Sequence, residues 1–186
     1  MSAVSEDGDK AHVRVGVLGC GNVGGPLVAL LEERAPAIEA RTGVRLEVTR
    51  VAVRDLAKPR PEGIDRSLLT DDPRAVVEAD DVDLVVELIG GVHPAQDLIR
   101  AALEAGKPVV TGNKELLANH GAELFKAAEA VGVDLLFEAA VAGGIPIIRP
   151  LRESLAGERI ARVMGIVNGT TNYILTRMTE GGASYA

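Results

Sequence analysis

The sequence predicts an α/β fold, a doubly wound parallel sheet covered by helices on both faces. Three observations predict it. Short runs rich in Val, Leu and Ile alternate with stretches of helical periodicity along the whole chain, and that alternation calls for parallel strands joined by crossover helices. Several of the strand-like runs are apolar throughout, as strands buried on both faces must be. The first run ends in Gly19-Cys20-Gly21-Asn22-Val23-Gly24. This is a G-x-G-x-x-G set between a strand and a helix, the context that gives an otherwise weak motif its meaning.

The elements follow in order. After a polar tail, His12–Gly19 is a β-branched run closed by glycine and reads as a buried strand. Val23–Glu33 places Val23, Leu27, Leu30 and Leu31 at helical spacing, and Ala35–Gly43 reads as a polar connection. Arg45–Val53 is a second strand, and Asp55–Gly63, with its prolines and glycine, is a loop. Asp83–Gly91 is a third strand ending in glycines. Pro94 then opens a helix that Gly106 stops. Lys107–Lys114 is a short strand running into a helix that lasts to about Val131. Asp134–Val141 is a further strand, and Gly143–Leu155 turns into a helix with Pro146 near its first turn. Arg159–Val167 is apolar and strand-like, and Asn168–Met178 opens a last helix. The expected organisation is a tail at residues 1–11, a dinucleotide-binding domain at 12–145 and the start of a second domain at 146–186. Residues 146–186 offer too little chain for an independent core.

Composition narrows the function classes. Hydrophobic residues make up 47% of the 186-residue chain but aromatic ones only 2%, so the core must be built from Val, Leu, Ile and Ala. The formal net charge is −7, with no basic stripe, which argues against nucleic acid and anionic membrane as partners. No apolar stretch approaches the roughly 18 residues that span a bilayer, and the first ten residues lack the apolar segment of a signal peptide. The single cysteine, Cys20, excludes an internal disulfide and fits a reducing cytoplasm; between glycines at a turn it reads as a small filler. The chain is therefore expected to be soluble and cytoplasmic.

Five motifs carry chemistry. In the glycine motif, Gly19 permits a tight turn, Gly21 lets a pyrophosphate approach the backbone, and Gly24 lets helix and strand pack closely. The helix start then offers N–H groups and a positive dipole to phosphate. At the end of the second strand, an acidic residue would bond the adenosine 2′-hydroxyl and favour NAD. This sequence has Arg54 there, with Asp55 next and Lys58 four residues beyond Arg54. Two cations suit the 2′-phosphate of NADP, Asp55 leaves NAD open, and solvated surface charge is the plain alternative. Thr111-Gly112-Asn113-Lys114 lies where a strand meets a helix. A lysine in a first helical turn opposes the macrodipole, so Lys114 is either a surface lysine or a cation kept for substrate or nicotinamide. Glu138 begins a strand-end turn through Gly143 and Gly144 whose carboxylate and free carbonyls suit a hard cation; a monovalent ion and a structural hydrogen-bond network fit equally. Asn168-Gly169-Thr170-Thr171-Asn172 either caps a helix or orients a small polar substrate. His12, His93 and His120 are scattered, without metal or triad spacing.

The successive blocks VGVLGCGNVGGPLV, VVELIGG, VVTGNKELLA, FEAAVAGGIPIIRPL and GIVNGTTNYILTRM resemble those of homoserine dehydrogenases, in order, over about Val13 to Met178. The last two blocks are the specific ones, since many Rossmann-type enzymes share the first. The resemblance implies a Rossmann domain followed by the beginning of a substrate and dimerisation domain. It implies NAD(P)-dependent interconversion of L-homoserine and L-aspartate 4-semialdehyde, in threonine, methionine and isoleucine biosynthesis. Asn22, Val23, Arg54, Lys58 and Lys114 are implied to contact the cofactor, together with the strand-end residues Ile89, Gly90, Thr111 and Asn113. Lys114 is also implied to face the reacting centre. Glu138, with the carbonyls of Val141, Gly143 and Ile145, matches the family's sodium site, and Gly169 and Thr170 line the boundary of cofactor and substrate. The family carries its substrate-binding acidic residues, its proton-donating lysine and most of its oligomerising sheet beyond the last block. The chain is thus expected to stop within the substrate domain of a homo-oligomeric enzyme acting on a small molecule.

Overall fold

Val15, Val17, Leu18 and Val51 have essentially no exposed surface, and they sit on two adjacent strands at the centre of a parallel sheet. The structure is a computed structural model that describes residues 11–60, 63–165 and 168–184. Residues 1–10 of the expected tail lie outside this range, and Ala11 already begins β1. The chain divides into two units between Gly143 and Gly144.

In the first unit the strands are β1 (Ala11–Leu18), β2 (Val44–Ala52), β3 (Leu69–Thr70), β4 (Leu84–Glu87), β5 (Val109–Thr111) and β6 (Leu135–Leu136). They form one sheet in the order β3-β2-β1-β4-β5-β6, with every pairing parallel. The connecting helices are α1 (Gly24–Thr42), α2 (Arg74–Val77), α3 (Ala95–Glu104) and α4 (Lys114–Val131). This is the Rossmann strand order, in which the chain direction of winding reverses between β1 and β4 and leaves a crevice at the strands' carboxyl ends. Successive residues feed opposite cores: Val17, Val51 and Val86 join one cluster, and Leu18, Ala52 and Val85 the other. Burial on both faces explains why these strands read as unbroken apolar runs.

Local packing explains several residue choices. A Cβ at Gly16 would lie 2.6 Å from a Val76 methyl, so glycine lets α2 press onto β1. The β1–β2 register shifts between Val15 and Gly16, and the extra residue on β2, Thr49, donates its hydroxyl to the Asp81 carbonyl at 2.9 Å. Arg14 binds Asp83 through its backbone N–H, its Nε–H and one terminal guanidinium N–H, at 2.6–2.9 Å, and Arg50 grips Asp81 with two bonds. These pairs tie β1 and β2 to the segment that leads into β4.

The structure corrects some expectations. The polar connection expected at Ala35–Gly43 is helical: α1 runs through Pro36 to Thr42 and stops at Gly43, whose φ is 72°. Only Gly24, Gly25 and Val28 of α1 are fully buried; Leu31, Ala35 and Ile38 are half-buried, and Pro36 amid them reads as a helix breaker, which hides the helix from a sequence reading. β3 and α2, with two and four residues, are too short to produce a periodicity. The strand expected over Asp134–Val141 ends at Leu136 and gives way to a tight turn at Glu138–Ala140.

The second unit contains one wide helical turn, Pro150–Ser154, and the helix α5 (Gly169–Gly181). The strand expected at Arg159–Val167 is not formed over residues 159–165, and residues 166–167 lie outside the described range. An extended segment needs a neighbour for its backbone N–H and C=O groups, and no strand is present among the described residues of this unit. Among the described residues of the whole chain, no helix is long and apolar enough to cross a membrane.

Candidate functional site

The carboxyl ends of β1, β2 and β4 open into a cavity of about 520 Å³, a volume typical of small-ligand sites. Its floor is the glycine loop. Gly19 adopts φ 99°, and its N–H donates to the Ala52 carbonyl at 3.0 Å, which pins the loop to the end of β2. A Cβ at Gly24 would lie 1.9 Å from the Gly19 carbonyl oxygen, so a side chain there cannot be accommodated. At Gly21 a Cβ would meet nothing within 4 Å. Gly21 is bare because the space beside it is open, and the cavity is that space. Val23 at the start of α1 supplies no side-chain cap, and the first turn carries no acidic residue. An uncapped, unneutralised helix start facing a cavity fits an anionic ligand.

The exit of β2 forms one wall. Arg54, Asp55, Lys58 and Arg60 all line the cavity. The Asp55 carboxylate accepts the Ala57 N–H at 2.8 Å, folding back into its own loop. Arg60 donates to the Cys20 carbonyl at 2.6 Å and to the Asp55 carbonyl at 2.8 Å.

The opposite wall begins with Leu88 and Ile89 after β4 and is organised by a carboxylate. Glu87 is completely buried. One of its oxygens accepts the N–H groups of Ile89 and Gly90, at 2.8 and 3.2 Å. The other accepts the Thr111 hydroxyl at 2.6 Å. Thr111 Oγ1 in turn accepts the Asn113 N–H at 3.1 Å. The Asn113 side chain donates to the Gly91 carbonyl at 2.6 Å and accepts the Leu116 N–H at 3.1 Å, capping α4. Lys114, the first residue of α4, therefore stands on a rigid platform, with its side chain exposed.

Comparison with known proteins gives this arrangement a family. Residues 19–138 match the family model described as "Homoserine dehydrogenase, NAD binding domain". The chain belongs to the homoserine dehydrogenase family. Residues 146–186 match a second model of the family, described as "Homoserine dehydrogenase". Homoserine dehydrogenase of Corynebacterium glutamicum is 53% identical over 179 residues, which are 96% of this chain and 40% of that protein. The Mycobacterium tuberculosis H37Rv enzyme is 52% identical over the same shares. Among solved structures, a homoserine dehydrogenase from Thiobacillus denitrificans superposes with a TM-score of 0.84 at 49% identity, covering 92% of this chain and 40% of that one. A hyperthermophilic archaeal homoserine dehydrogenase in complex with NADPH gives a TM-score of 0.74 at 30% identity, covering 91% of this chain and 57% of that one. The chain thus spans about 40% of the length of the curated relatives it matches.

The residues singled out in the sequence fall into three places. Gly19, Gly21, Arg54, Lys58 and Ile89 line one cavity, and Asn22, Val23 and Gly24 continue its floor into α1. Gly90, Thr111 and Asn113 belong to the Glu87 network, with Lys114 at its end. Glu138 opens a tight turn that continues through an extended Val141 into two left-handed residues, Ala142 at φ 57° and Gly143 at φ 62°. Ile145, Gly169 and Thr170 belong to the second unit. There Asn168 accepts the Thr171 N–H at 2.8 Å, and Asn172 donates to the Asn168 carbonyl at 2.7 Å, so both asparagines of the polar cluster serve the start of α5. Among the described residues, no three His, Cys, Asp or Glu side chains converge on a metal-sized site; a donor set made mainly of carbonyls is of another kind.

Two residues escaped the sequence reading. Glu87 carried a signal: it is the one charge inside the apolar run Leu84–Gly91, and a carboxylate in a buried strand must be satisfied by partners. Arg60 carried almost none, being a third cation in a proline-containing loop.

Proposed function

We propose that this chain is the NADP(H)-binding part of an enzyme that interconverts L-homoserine and L-aspartate 4-semialdehyde, in the biosynthesis of threonine, methionine and isoleucine. The observation that carries the cofactor reading is the wall at the exit of β2. Arg54, Lys58 and Asp55 all line the cavity, Arg54 at the strand end where an acidic residue would bond a ribose 2′-hydroxyl, and one Asp55 carboxylate oxygen is taken by the Ala57 N–H. A site built for NAD presents its carboxylate to the ribose, and a site built for NADP presents cations to the 2′-phosphate. The bare Gly21 and the uncapped start of α1 leave room and N–H donors for the pyrophosphate.

Bound NADP(H) supplies the hydride for reduction of the semialdehyde and accepts it on oxidation of homoserine. The chain's own part is to bind and orient. The Glu87 network fixes Ile89, Gly90, Thr111 and Asn113 beside the nicotinamide end of the crevice, and it fixes the point from which Lys114 extends. A cation at the first position of α4 is repelled by the helix dipole, a cost that an approaching substrate oxygen offsets; Lys114 therefore positions the oxygen at the reacting carbon. Glu138 with the carbonyls of Val141 and Gly143 would hold a monovalent cation, sodium by resemblance, whose hard-cation chemistry matches all-oxygen donors. Ile145, Gly169 and Thr170 keep the roles that the resemblance assigns them, the first toward the cation and the others toward cofactor and substrate. The enzyme is expected to work in the cytoplasm as a homo-oligomer on a small-molecule substrate, with no nucleic-acid or membrane partner.

The test is homoserine-dependent reduction of NADP⁺ by the protein containing this chain, beside its Lys114→Ala variant. The reading requires turnover in the parent, with a loss on the order of 10²-fold or more in the variant. Unchanged turnover in Lys114→Ala removes that residue from the chemistry, and no homoserine-dependent turnover in the parent overturns the activity.

A further inference from the structure

Arg60 holds its place through two neutral acceptors. One arm of its guanidinium donates to the Cys20 carbonyl within the glycine loop, at 2.6 Å, and the other to the Asp55 carbonyl in the β2 exit loop, at 2.8 Å. These two bonds engage two of the five N–H donors that a guanidinium carries. The Nε donor is buried and has no hydrogen-bond partner among the described residues. Carbonyls satisfy hydrogen-bonding capacity without cancelling charge, and among the described residues no carboxylate bonds this cation on the wall of the cavity it lines with Arg54 and Lys58. The two carboxylates on that cavity, Asp55 and Asp71, do not bond it, and Asp55 already accepts from Ala57.

We propose that Arg60 is a specificity-determining residue for the dinucleotide, a third cation that reads the 2′-phosphate and joins its recognition to the loop beneath the pyrophosphate. The inference rests on the NADP reading above and deepens it. Arg60 bridges the glycine loop to the loop that carries Arg54 and Lys58, so the charge is held where the adenosine ribose enters between them. A guanidinium fork is planar and keeps its charge at any physiological pH, which suits a phosphate dianion better than a mobile ammonium. A phosphate oxygen can also take the terminal guanidinium N–H groups that no described residue bonds. NADH lacks the 2′-phosphate and gains neither effect.

The experiment is a fluorescence titration of the chain with NADPH and with NADH, for the parent and for Arg60→Met, Arg60→Gln and Arg60→Lys, with thermal unfolding of each variant in the absence of cofactor. The quantity read is the ratio of the two dissociation constants. Met and Gln, both neutral, should lower the preference for NADPH over NADH by about tenfold or more, the worth of one charge-assisted contact. Lys, which restores the charge without the planar fork, should recover part of the preference. If Met or Gln leaves the ratio at the parent value, or weakens both cofactors equally, Arg60 is only a clamp between loops and the inference fails while the NADP reading stands. A parent chain that binds both cofactors with equal affinity overturns both.

Discussion

The Thr111 hydroxyl donates to the Glu87 carboxylate over 2.6 Å, and that bond joins the ends of two neighbouring strands of the sheet, β4 and β5. On one side Glu87 holds the turn at Ile89 and Gly90; on the other Thr111 receives the Asn113 N–H that leads to Lys114. A fully buried carboxylate is tolerated because its oxygens take three donors. Glu87→Ala would strand all three and should cost about 2–3 kcal/mol or more. Glu87→Gln keeps an acceptor for the backbone N–H groups and turns an amide toward the hydroxyl, so it should cost clearly less. Urea unfolding of the two variants checks this, and equal midpoints would show that the network is not what Glu87 supplies.

The glycine loop separates two reasons for having no side chain. Gly24→Ala forces a Cβ to within 1.9 Å of the Gly19 carbonyl oxygen, and the backbone shift needed should cost about 1–3 kcal/mol. Gly21→Ala meets no protein atom within 4 Å and should leave thermal stability nearly unchanged, while weakening NADPH binding by about tenfold or more through lost approach of the pyrophosphate. Calorimetry and fluorescence titration of both variants decide the matter. Loss of stability at Gly21, or of binding alone at Gly24, would reverse the assignment.

At the opposite end of the strands, hydrogen bonds from the Arg14 guanidinium hold the Asp83 carboxyl down to about 2, with the Arg14 backbone N–H and charge adding to the effect against partial burial. A carboxyl whose folded value lies below its unfolded one stabilises the fold above the unfolded value and loses that contribution as pH falls toward the folded one. The contribution of Asp83 is therefore complete at neutral pH and disappears between about pH 4 and pH 2. Asp83→Asn should lower the urea midpoint at pH 7 and converge on the parent near pH 2. A constant difference across that range would mean that packing, not the ion pair, is responsible.

Ala142 adopts φ 57° without being glycine, in the turn between Glu138 and Gly143. A left-handed L-residue costs on the order of 1 kcal/mol, partly offset in a glycine variant by its freer unfolded chain. Ala142→Gly should therefore raise stability by up to about 1 kcal/mol, read as an increase in thermal midpoint. A decrease would show that the Ala142 methyl group contributes packing that outweighs its strain.

Much of the fold was legible because its signals are local. The apolar runs around Val17, Val51 and Val85 and the turn at Gly19 through Gly24 are each readable from adjacent residues, and the alternation of strand and helix then implies the parallel sheet. The second half of α1 was not legible, since Pro36 sits inside it and its apolar residues Ala35 and Ile38 are only half-buried. β3 and α2 were too short to be read. Arg159 onward looked like a strand, because composition reports what a segment can pair with and not whether a neighbour is there. In the site, Arg54 and Lys58 were visible from their place at the end of the second strand-like run. The fold-back of Asp55 onto Ala57 and the reach of Arg60 to Cys20 depend on loop geometry that spacing does not encode.

The proposed NADP(H) site at the glycine loop and the β2 exit is tested most directly by titration of the chain with NADPH, following nicotinamide fluorescence with NADH in parallel. Saturable binding of both, tighter for NADPH by about tenfold or more, is the predicted result. Saturable binding that favours NADH, or no saturable binding of either cofactor, would contradict it.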